Sequence, residues 1–358
     1  MQITQLEIKN VRNLTDISLH PASAINFLTG PNGSGKSSIL EAVYLLSSGR
    51  SYRTHLANEL INWDQEQLMV GAGFSGSHFG QHRAGLAKIK NGPMRIRLDQ
   101  QDLKSTSELA RLLPVKIIHP DMHELVRGGP SIRRKFLDWG VFHVEPNFLP
   151  EWKRYQYVLG QRNNLLKSHF DANELLAWTR ELAVAGEQLD ATRQDYLAHL
   201  RPVFAQWAQR FEIGESIEVS YRRGWDKNTD LADALSKSEK TCLRYKTTSV
   251  GPHRADLGLL YHDTPAKQSV SRGQQKLLVY ALVFSQLDLY KTLTGDVAVL
   301  LCDDPEAELD EFHQNLLIEA IRGLKIQCFI TGNKQDTWKT GQNDAMFHVE
   351  LGKVKRIE

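Results

Sequence analysis

The chain has 358 residues, of which 41% are hydrophobic and 24% are charged, and its 44 basic and 42 acidic side chains leave a formal net charge of +2. This composition is close to the average of soluble globular proteins, and the length suits about two domains with a core large enough to need neither disulfides nor a structural metal. The near balance of charge excludes a uniformly basic surface, so affinity for nucleic acid would have to come from a local patch.

The first part of the chain predicts a β-rich fold around one helix. Residues 3–19 alternate apolar and polar side chains, which predicts two half-buried strands joined at 11–13. A short strand at 24–29 leads into a glycine-rich loop and then a helix at 37–46. Further strands are expected at 67–75, 83–90 and 94–98.

The middle of the chain has a different character. Residues 130–212 are predicted to be helical, with Pro146, Pro150 and Pro202 as breakers, and a polar stretch follows at 226–246. Alternating strands and helices then return, at 256–262, 272–290, 297–302, 311–322, 326–331 and a terminal hairpin at 346–357. This order predicts one α/β domain that is split by a largely helical insertion at roughly 115–250.

The sequence gives no sign of export or of a membrane. The N-terminal segment lacks the apolar core of a signal peptide, and no window approaches 18 uninterrupted apolar residues. The cysteines at 242, 302 and 328 have no metal-ligand or disulfide spacing. We therefore expect a soluble cytosolic protein that has no membrane association.

The glycine-rich loop is the strongest chemical signal. Its sequence GPNGSGKS fits the phosphate-binding motif GxxxxGK[ST] and lies between a predicted strand and a predicted helix. The glycines let backbone N–H groups face the phosphates, while Lys36 would hold the β and γ oxygens and Ser37 would ligate Mg²⁺. The motif predicts a nucleoside triphosphate site built from Gly30, Pro31, Asn32, Gly33, Ser34, Gly35, Lys36 and Ser37.

A second signal is an apolar strand that ends in two acids, Asp303 and Asp304. Carboxylates at such a strand end lie at the ligand-binding edge of an α/β sheet. Asp303 would hold Mg²⁺, and Asp304 would orient or deprotonate the attacking water. The alternative is a strand end that is followed by a solvated acidic turn.

A third signal is a second helix start, VSRGQQK, about 30 residues before the acidic strand. Ser271 and Gly273 at this N-terminus would form another anion site. Two such starts in one chain are explained by a sandwich dimer, in which one subunit caps the γ-phosphate held by the other. The alternative is that Ser271 is a plain helix N-cap.

The order GPNGSGKSS, SRGQQK and LLCDDPEAELD resembles the SMC-like ABC-type ATPases of chromosome maintenance and DNA repair, in particular their bacterial recombination branch. The segments KNVRNL, RRKFLDWG (133–140) and GPHRADL (251–257) add to the resemblance, which runs from residue 1 to about 351. It implies an ABC-ATPase head, with a P-loop sheet and an antiparallel β subdomain, over 1–114 and 251–358. Residues 115–250 would form an inserted, mostly helical lobe.

The resemblance also implies a function. It implies an ATP-dependent homodimer on single-stranded or duplex DNA at gaps, recombinase loading, support of the SOS response, and RecR and RecO as partners. Residue by residue, it implies nucleotide contacts from three places. These are the P-loop with the following Ser38, the signature segment SRGQ at 271–274, and two residues near the base or phosphates. The additional residues are Ser38, Ser271, Arg272, Gly273, Gln274, Arg12 and Asn13.

The resemblance also bears on the following positions. Asp310 of the segment 308–310 would reach toward the partner's site, and Thr331 or Asn333 would take the place of the switch residue. Asp304 stands where many ABC ATPases carry Glu, and Pro305 follows it. Because Asp is one methylene shorter, we expect a slow, DNA-stimulated ATPase that acts as a timer, with turnover below about 10 s⁻¹.

A basic patch would supply the DNA contacts. The segment 125–170 carries eight Lys or Arg against three acids, with aromatic neighbours. The predicted phosphate-binding side chains are Arg133, Arg134, Lys135, Lys153 and Arg154. The alternative for any one of them is an ordinary solvated helix face.

Other classes share parts of this pattern. The nucleotide-binding subunit of a membrane transporter would share all three motifs, but the long basic insert disfavours it. A coiled-coil chromosome organiser would need sustained heptads, which are missing. The sequence NKQD at 333–336 mimics a guanine-binding motif, but it accompanies the signature segment, so we expect ATP rather than GTP.

Overall fold

The computed structural model describes residues 1–76, 80–168, 171–214, 217–333 and 340–357. Within them the strands are β1 (Gln2–Val11), β2 (Leu14–Leu19), β3 (Ile25–Thr29), β4 (Gln67–Ser75), β5 (Gln81–Ile89), β6 (Met94–Leu98), β7 (Gln101–Asp102), β8 (Val115–Ile118), β9 (Ile217–Arg222), β10 (Asp256–Tyr261), β11 (Thr264–Pro265), β12 (Val299–Cys302), β13 (Cys328–Gly332), β14 (Ala345–Glu350) and β15 (Lys353–Arg356).

The α-helices in the same residues are α1 (Lys36–Ser48), α2 (Thr106–Leu112), α3 (Glu124–Arg127), α4 (Pro130–Val144), α5 (Phe148–Leu165), α6 (Ala172–Arg210), α7 (Leu231–Lys237), α8 (Glu239–Tyr245), α9 (Ala266–Ser269), α10 (Arg272–Thr294), α11 (Pro305–Glu308) and α12 (Glu311–Leu324). Of these helices, none combines the length and apolar character that a membrane crossing requires.

The chain folds into two compact units. Unit 1 comprises Met1–Met122 and Tyr290–Glu358, and unit 2 comprises His123–Leu289. The predicted boundaries lie at 114/115 and 250/251, so the prediction assigns residues 251–289 to the ATPase head, whereas the structure assigns them to unit 2. The observed boundaries differ from the predicted ones for two reasons. β10 pairs with β9 along six residues, which holds the GPHRADL region in unit 2, and β8 pairs in a sheet of unit 1.

Unit 1 is built from two six-stranded sheets. The first has the order β2-β1-β4-β5-β6-β7 and is antiparallel, whereas the second has the order β15-β14-β3-β13-β12-β8 with a parallel centre. Apolar side chains of α1, such as Leu40 and Leu46, belong to one buried cluster with side chains of both sheets. This arrangement confirms the predicted α/β class, with an antiparallel sheet beside a P-loop sheet.

The parallel sheet positions the chemistry. Strands β3 and β12 both end at its carboxyl edge, with β13 between them. β3 leads into the glycine-rich loop and β12 into the acidic pair, so topology alone brings residues 30–37 close to 303–304. The sequence did not predict β8, whose four residues lie between two prolines and are too few to show a period.

Unit 2 is mostly helical, with the small antiparallel sheet β11-β10-β9. The 39-residue helix α6 packs along α5 and passes through Pro202 without ending there. The prediction of Pro202 as a breaker was therefore wrong. Pro150 lies in the first turn of α5, where a proline leaves no intrahelical hydrogen bond unmade.

Candidate functional site

The glycine-rich loop connects β3 to α1, as predicted, and its conformation requires glycine at two places. Gly30 has φ 146°, and a Cβ there would lie 2.1 Å from the carbonyl oxygen of Val349. Gly35 has φ 115°, and its Cβ would lie 2.7 Å from a methyl group of Leu14. The hairpin between β14 and β15 also holds the loop, because the Gly352 N–H donates to the Ser34 carbonyl oxygen at 3.0 Å.

The N-terminus of α1 is suited to an anion. Its N-cap residue is Gly35, which offers no side chain for the first N–H groups. The Ser34 Oγ is buried and has no hydrogen-bond partner in the described part of the chain. Unsatisfied donors at a helix N-terminus favour negative charge, so the loop fits a phosphate group.

Lys36 is folded back onto the loop. Its Nζ donates to the carbonyl oxygens of Gly30 at 2.6 Å and Pro31 at 2.9 Å, and to Asn333 Oδ1 at 3.1 Å. Burial lowers the pKa of Lys36, while the charges of Asp304 and Asp303 oppose that shift. A phosphate oxygen would replace the carbonyl oxygens as the partner of this ammonium group.

The predicted metal ligands meet at the sheet edge. Ser37 Oγ donates to Asp303 Oδ1 at 2.7 Å, and Thr331 Oγ1 donates to the same oxygen at 2.9 Å. Tyr52 OH donates to Asp303 Oδ2 at 2.9 Å, and the Tyr52 pKa is strongly raised by burial and by the charge of Asp303. A hydroxyl and one carboxylate are hard oxygen ligands that suit Mg²⁺ with nucleotide phosphates completing its shell.

No group of three or more His, Cys, Asp or Glu side chains in the described ranges could hold a metal by itself. The protein would therefore supply only a few ligands, and phosphate oxygens of the nucleotide would be needed to hold the ion, as is usual for Mg²⁺ in nucleotide sites. The residues Ser37 and Asp303 fit such a site, and we expect metal binding only together with a nucleotide.

Asp304 has the environment of a group that handles a proton. It takes a left-handed backbone conformation (φ 52°) immediately before Pro305, and its N–H donates to Thr331 Oγ1 at 2.8 Å. Its Oδ1 is buried and has no hydrogen-bond partner among the described residues. Burial raises the pKa of Asp304, and the charges of Asp303 and Glu306 raise it further.

Two residues of this region were not recognised as parts of the site from the sequence. Glu306 Oε2 accepts from the Asn333 N–H at 3.1 Å, and Asn333 also contacts Lys36, so Asn333 links the lysine to the acidic turn. Tyr52 was overlooked because it lies 15 residues beyond Ser37 in a loop with no motif, and only the fold brings it to Asp303. Lys334–Asp336 of the NKQD sequence lie outside the described residues.

Three predicted nucleotide contacts hold the loop in place. Arg12 donates from Nε and Nη2 to the fully buried Glu41 at 2.9 and 3.0 Å, which raises the Arg12 pKa. Asn13 donates from Nδ2 to the Gly33 carbonyl oxygen at 3.0 Å and accepts from Ser38 Oγ at 3.1 Å. Sequence reasoning missed Glu41, a charged residue inside an apolar helix, although that contrast is itself a signal.

A cavity of about 740 Å³ opens beside the loop. Its lining includes the phosphate loop with Asp304, Thr331 and Asn333, and also residues of the segment around Asn58–Trp63 and Lys90. All of these residues belong to unit 1. A concave site that combines backbone donors with apolar and polar side chains suits a small ligand such as a nucleotide.

The second predicted phosphate site lies in unit 2, at the start of α10. The Ser271 N–H donates to Gln274 Oε1 at 2.9 Å, and the Gln274 N–H donates to Ser271 Oγ at 3.3 Å. This reciprocal pair is a capping box, so the plain N-cap alternative describes the structure of the single chain. Ser271, Arg272 and Gly273 are exposed and remain predicted contacts of a partner's nucleotide.

The basic patch divides into paired and exposed side chains. Arg133 donates from Nε and Nη2 to Asp256 at 2.7 and 3.2 Å and is largely buried, while Arg134 donates to the Ala255 carbonyl oxygen at 2.7 Å. Arg154 pairs with Glu181. Lys135 and Lys153 are exposed, and the described residues give them no ion pair. The charge of Arg133 is thus already matched, and Lys135 and Lys153 are the exposed members of the patch that have no ion pair with a described residue.

Comparisons with known proteins extend over the whole chain. The family model described as "RecF/RecN/SMC N terminal domain" matches residues 2–356. A protein from Pseudomonas paraeruginosa described as "DNA replication and repair protein RecF" is 40% identical over 99% of this chain and 98% of its own length, and a relative of the same description from Pseudomonas putida is also 40% identical.

Solved structures agree with these relatives. The recombination mediator protein RecF bound to ATP, of the RecFOR pathway, matches with a TM-score of 0.90 at 28% identity, covering 100% of this chain and 98% of that one. An SMC head bound to the C-terminal winged-helix domain of ScpA matches with a TM-score of 0.60 at 14% identity over 100% of this chain and 97% of that one, which shows a shared fold.

Proposed function

Because the chain belongs to the RecF family of DNA replication and repair proteins, whose heads are ABC-type ATPases, we propose that it binds ATP with Mg²⁺ and uses it to close a homodimer on DNA. The observation that carries this proposal is the 2.7 Å contact between Ser37 and Asp303, two residues that lie 266 positions apart in the chain. The contact supports the proposal because a phosphate loop beside a carboxylate that can bind Mg²⁺ is the arrangement that nucleotide hydrolysis requires.

We assign roles from the geometry of unit 1. Backbone N–H groups of the loop and Lys36 would hold the β- and γ-phosphates, and Ser37 with Asp303 would hold Mg²⁺, which neutralises charge on the phosphate oxygens. Asp304 would orient a water and take its proton as the water oxygen bonds to the γ-phosphorus and the bond to the leaving ADP oxygen breaks. Its Oδ1, which has no hydrogen-bond partner among the described residues, would be the acceptor for that proton.

Hydrolysis would be slow. The Asp304 carboxylate is carried on a short side chain, and its backbone is fixed in a left-handed turn by the adjacent Pro305 and by the hydrogen bond to Thr331. This leaves little freedom to reach a water at the far side of the γ-phosphate. Turnover below about 10 s⁻¹ would suit a timer that releases DNA after a delay.

The composite site would need a second copy of the chain. Ser271 and Gly273 of one copy would contact the γ-phosphate held by the loop of the other, with Arg272 and Gln274 beside them. ATP would then couple dimer closure to DNA binding, and hydrolysis would reverse both. Loading of recombinase at gaps, support of the SOS response and association with RecR and RecO complete the proposal, and they rest on the family.

Lys135 and Lys153 are the side chains best placed to contact DNA phosphates, because they are exposed and carry unmatched charge within the described residues. Reversing Lys153 to Glu should weaken DNA binding and reduce its salt dependence by about one counterion. Reversing Arg133 should instead disturb the fold around Asp256. An unchanged salt slope for Lys153→Glu would contradict this assignment.

The test of the function is binding to a gapped duplex, measured by fluorescence anisotropy at fixed salt with and without ATP and Mg²⁺. We expect binding that requires ATP and is lost in Lys36→Ala, which removes the phosphate contact, and in Ser271→Arg, which blocks the dimer. The matched control is Lys227→Ala, on an exposed loop of unit 2. ATP-independent binding that both variants retain would contradict the ATP-gated dimer.

A further inference from the structure

Part of the cavity that adjoins the phosphate loop is lined by residues that no motif identifies. They lie in the connection between α1 and β4, and the main ones are Asn58, Glu59, Ile61, Asn62 and Trp63. If the loop fixes the phosphates of a nucleotide, the ribose and base must lie against the rest of the cavity lining, and this segment supplies part of it. The nature of this wall therefore determines how the base is held.

The polar side chains of the wall are already engaged. Asn58 Nδ2 donates to Asn91 Oδ1 at 2.6 Å, and Asn58 Oδ1 accepts from the Asn91 N–H at 3.2 Å. Glu59 Oε2 accepts from Thr54 Oγ1 at 2.6 Å. These contacts leave the Asn58 and Glu59 side chains with less capacity to read the edge of a base by hydrogen bonding.

Trp63 differs from its neighbours. It is 89% exposed, and its indole has no hydrogen bond or ring contact with any described residue. The backbone that carries it is nevertheless fixed, since the Asn62 N–H donates to the Asn10 carbonyl oxygen at 2.9 Å and Ile61 bridges to Val11. A large aromatic surface is thus held at the mouth of a cavity by a well-anchored segment.

We propose that Trp63 is the platform on which the base of the bound nucleotide stacks. The inference rests on the proposed ATP site and names the part of it that binds the base. Stacking uses the face of the base, which every base has, so Trp63 would add affinity for ATP and GTP alike. Purines would gain more than pyrimidines, because their two rings cover more of the indole.

The test compares a ligand that has a base with one that lacks it. Binding of ATP–Mg²⁺ and of inorganic tripolyphosphate–Mg²⁺ is measured by calorimetry for the full chain and for Trp63→Ala, Trp63→Phe and the control Leu56→Ala. Leu56 is exposed on the same connection and does not line the cavity. Trp63→Ala should weaken ATP binding roughly 5- to 100-fold and leave tripolyphosphate binding unchanged, whereas Trp63→Phe should retain most of the ATP affinity.

The outcomes separate the two levels of the proposal. Unchanged ATP affinity in Trp63→Ala, or equal losses for ATP and tripolyphosphate, would overturn the stacking role while the ATP site itself stands. A wild-type chain that binds neither ligand would instead overturn the proposed function, and the inference with it. Tryptophan fluorescence is a second readout. ATP should quench the emission of the wild-type chain more than that of Trp63→Phe, and tripolyphosphate should quench neither.

Discussion

The starts of α1 and α10 were both predicted to bind a phosphate, but they use their first N–H groups differently. Gly35 caps α1 without a side chain, and the neighbouring Ser34 Oγ is buried without a partner in the described chain. At α10, Ser271 and Gln274 cap each other by two hydrogen bonds. The first start is open to an anion, whereas the second already pairs its Ser271 and Gln274 N–H groups within the chain.

This difference implies an order of events. A phosphate at α1 has only to replace the carbonyl oxygens that Lys36 now contacts. A phosphate at α10 has to replace the capping box, so the net gain there is small. The second start should therefore bind only a phosphate that the first start of another copy presents, which makes ATP binding precede dimerisation.

The largest expected effect tests whether both starts act on one phosphate. Asp304→Asn removes the proton acceptor, and we expect single-turnover hydrolysis to fall by roughly 10²- to 10⁴-fold. ATP-bound dimers should then persist, as analytical ultracentrifugation would detect. In the double variant with Ser271→Arg, hydrolysis stays low and no dimer accumulates. A persistent dimer in the double variant would contradict the composite site.

The second effect concerns ATP affinity of the dilute, monomeric chain. Lys36→Ala should weaken ATP binding by roughly 10- to 150-fold, since a charge-assisted contact is lost. Ser271→Ala should leave the affinity unchanged under the same conditions, because α10 does not act before dimerisation. Calorimetry at concentrations below dimerisation checks both. Equal losses would mean that the two starts are not used in sequence.

The third effect compares the glycines of the two starts. Gly35→Ala should destabilise the chain by about 1–3 kcal/mol, because an L side chain is strained at φ 115° and would meet Leu14. At Gly273 a Cβ would find only Ser271 Oγ, at 4.0 Å, so Gly273→Ala should stabilise the helix by up to about 1 kcal/mol. Urea unfolding measures both changes.

The two variants should also separate stability from function. Gly273→Ala would place a methyl group where a partner's phosphate is expected to approach, so it should impair ATP-dependent dimerisation although the chain is more stable. If Gly273→Ala dimerised normally, α10 would be a capped helix and nothing more.

How far the sequence predicts this molecule depends on the range of the contacts. Local patterns identified the loop at 30–37, the strand before Asp303 and the antiparallel strands, because spacing alone carries that information. β8 was missed, since its four buried residues form a strand only by pairing with β12. Pro202 was taken for a breaker, but packing of α6 along α5 outweighs the lost hydrogen bond.

The site divides in the same way. Lys36, Ser37 and Asp303 were predicted as neighbours because their motif is shared by a large class of ATPases, and the fold brings them together. Tyr52 was not predicted as a site residue, since it reaches the site through a loop whose path only the three-dimensional structure gives. Glu306 was not predicted either, because its contact with the Asn333 N–H joins two residues 27 positions apart. Arg133 was predicted as a DNA contact, and its bond to Asp256 at 2.7 Å joins residues 123 positions apart, which no local pattern indicates.

The smallest expected effect separates capping from phosphate binding at α10. Gln274→Glu keeps the capping box, because Glu serves as well as Gln in that motif, and its negative charge suits a helix N-terminus. The single chain should gain about 0.3–1 kcal/mol in stability at low salt. The same charge would repel a partner's γ-phosphate, so ATP-dependent dimerisation should weaken. Thermal unfolding and ultracentrifugation measure the two effects on one variant, and a dimer that tightens in parallel with the helix would show that α10 contributes only its cap.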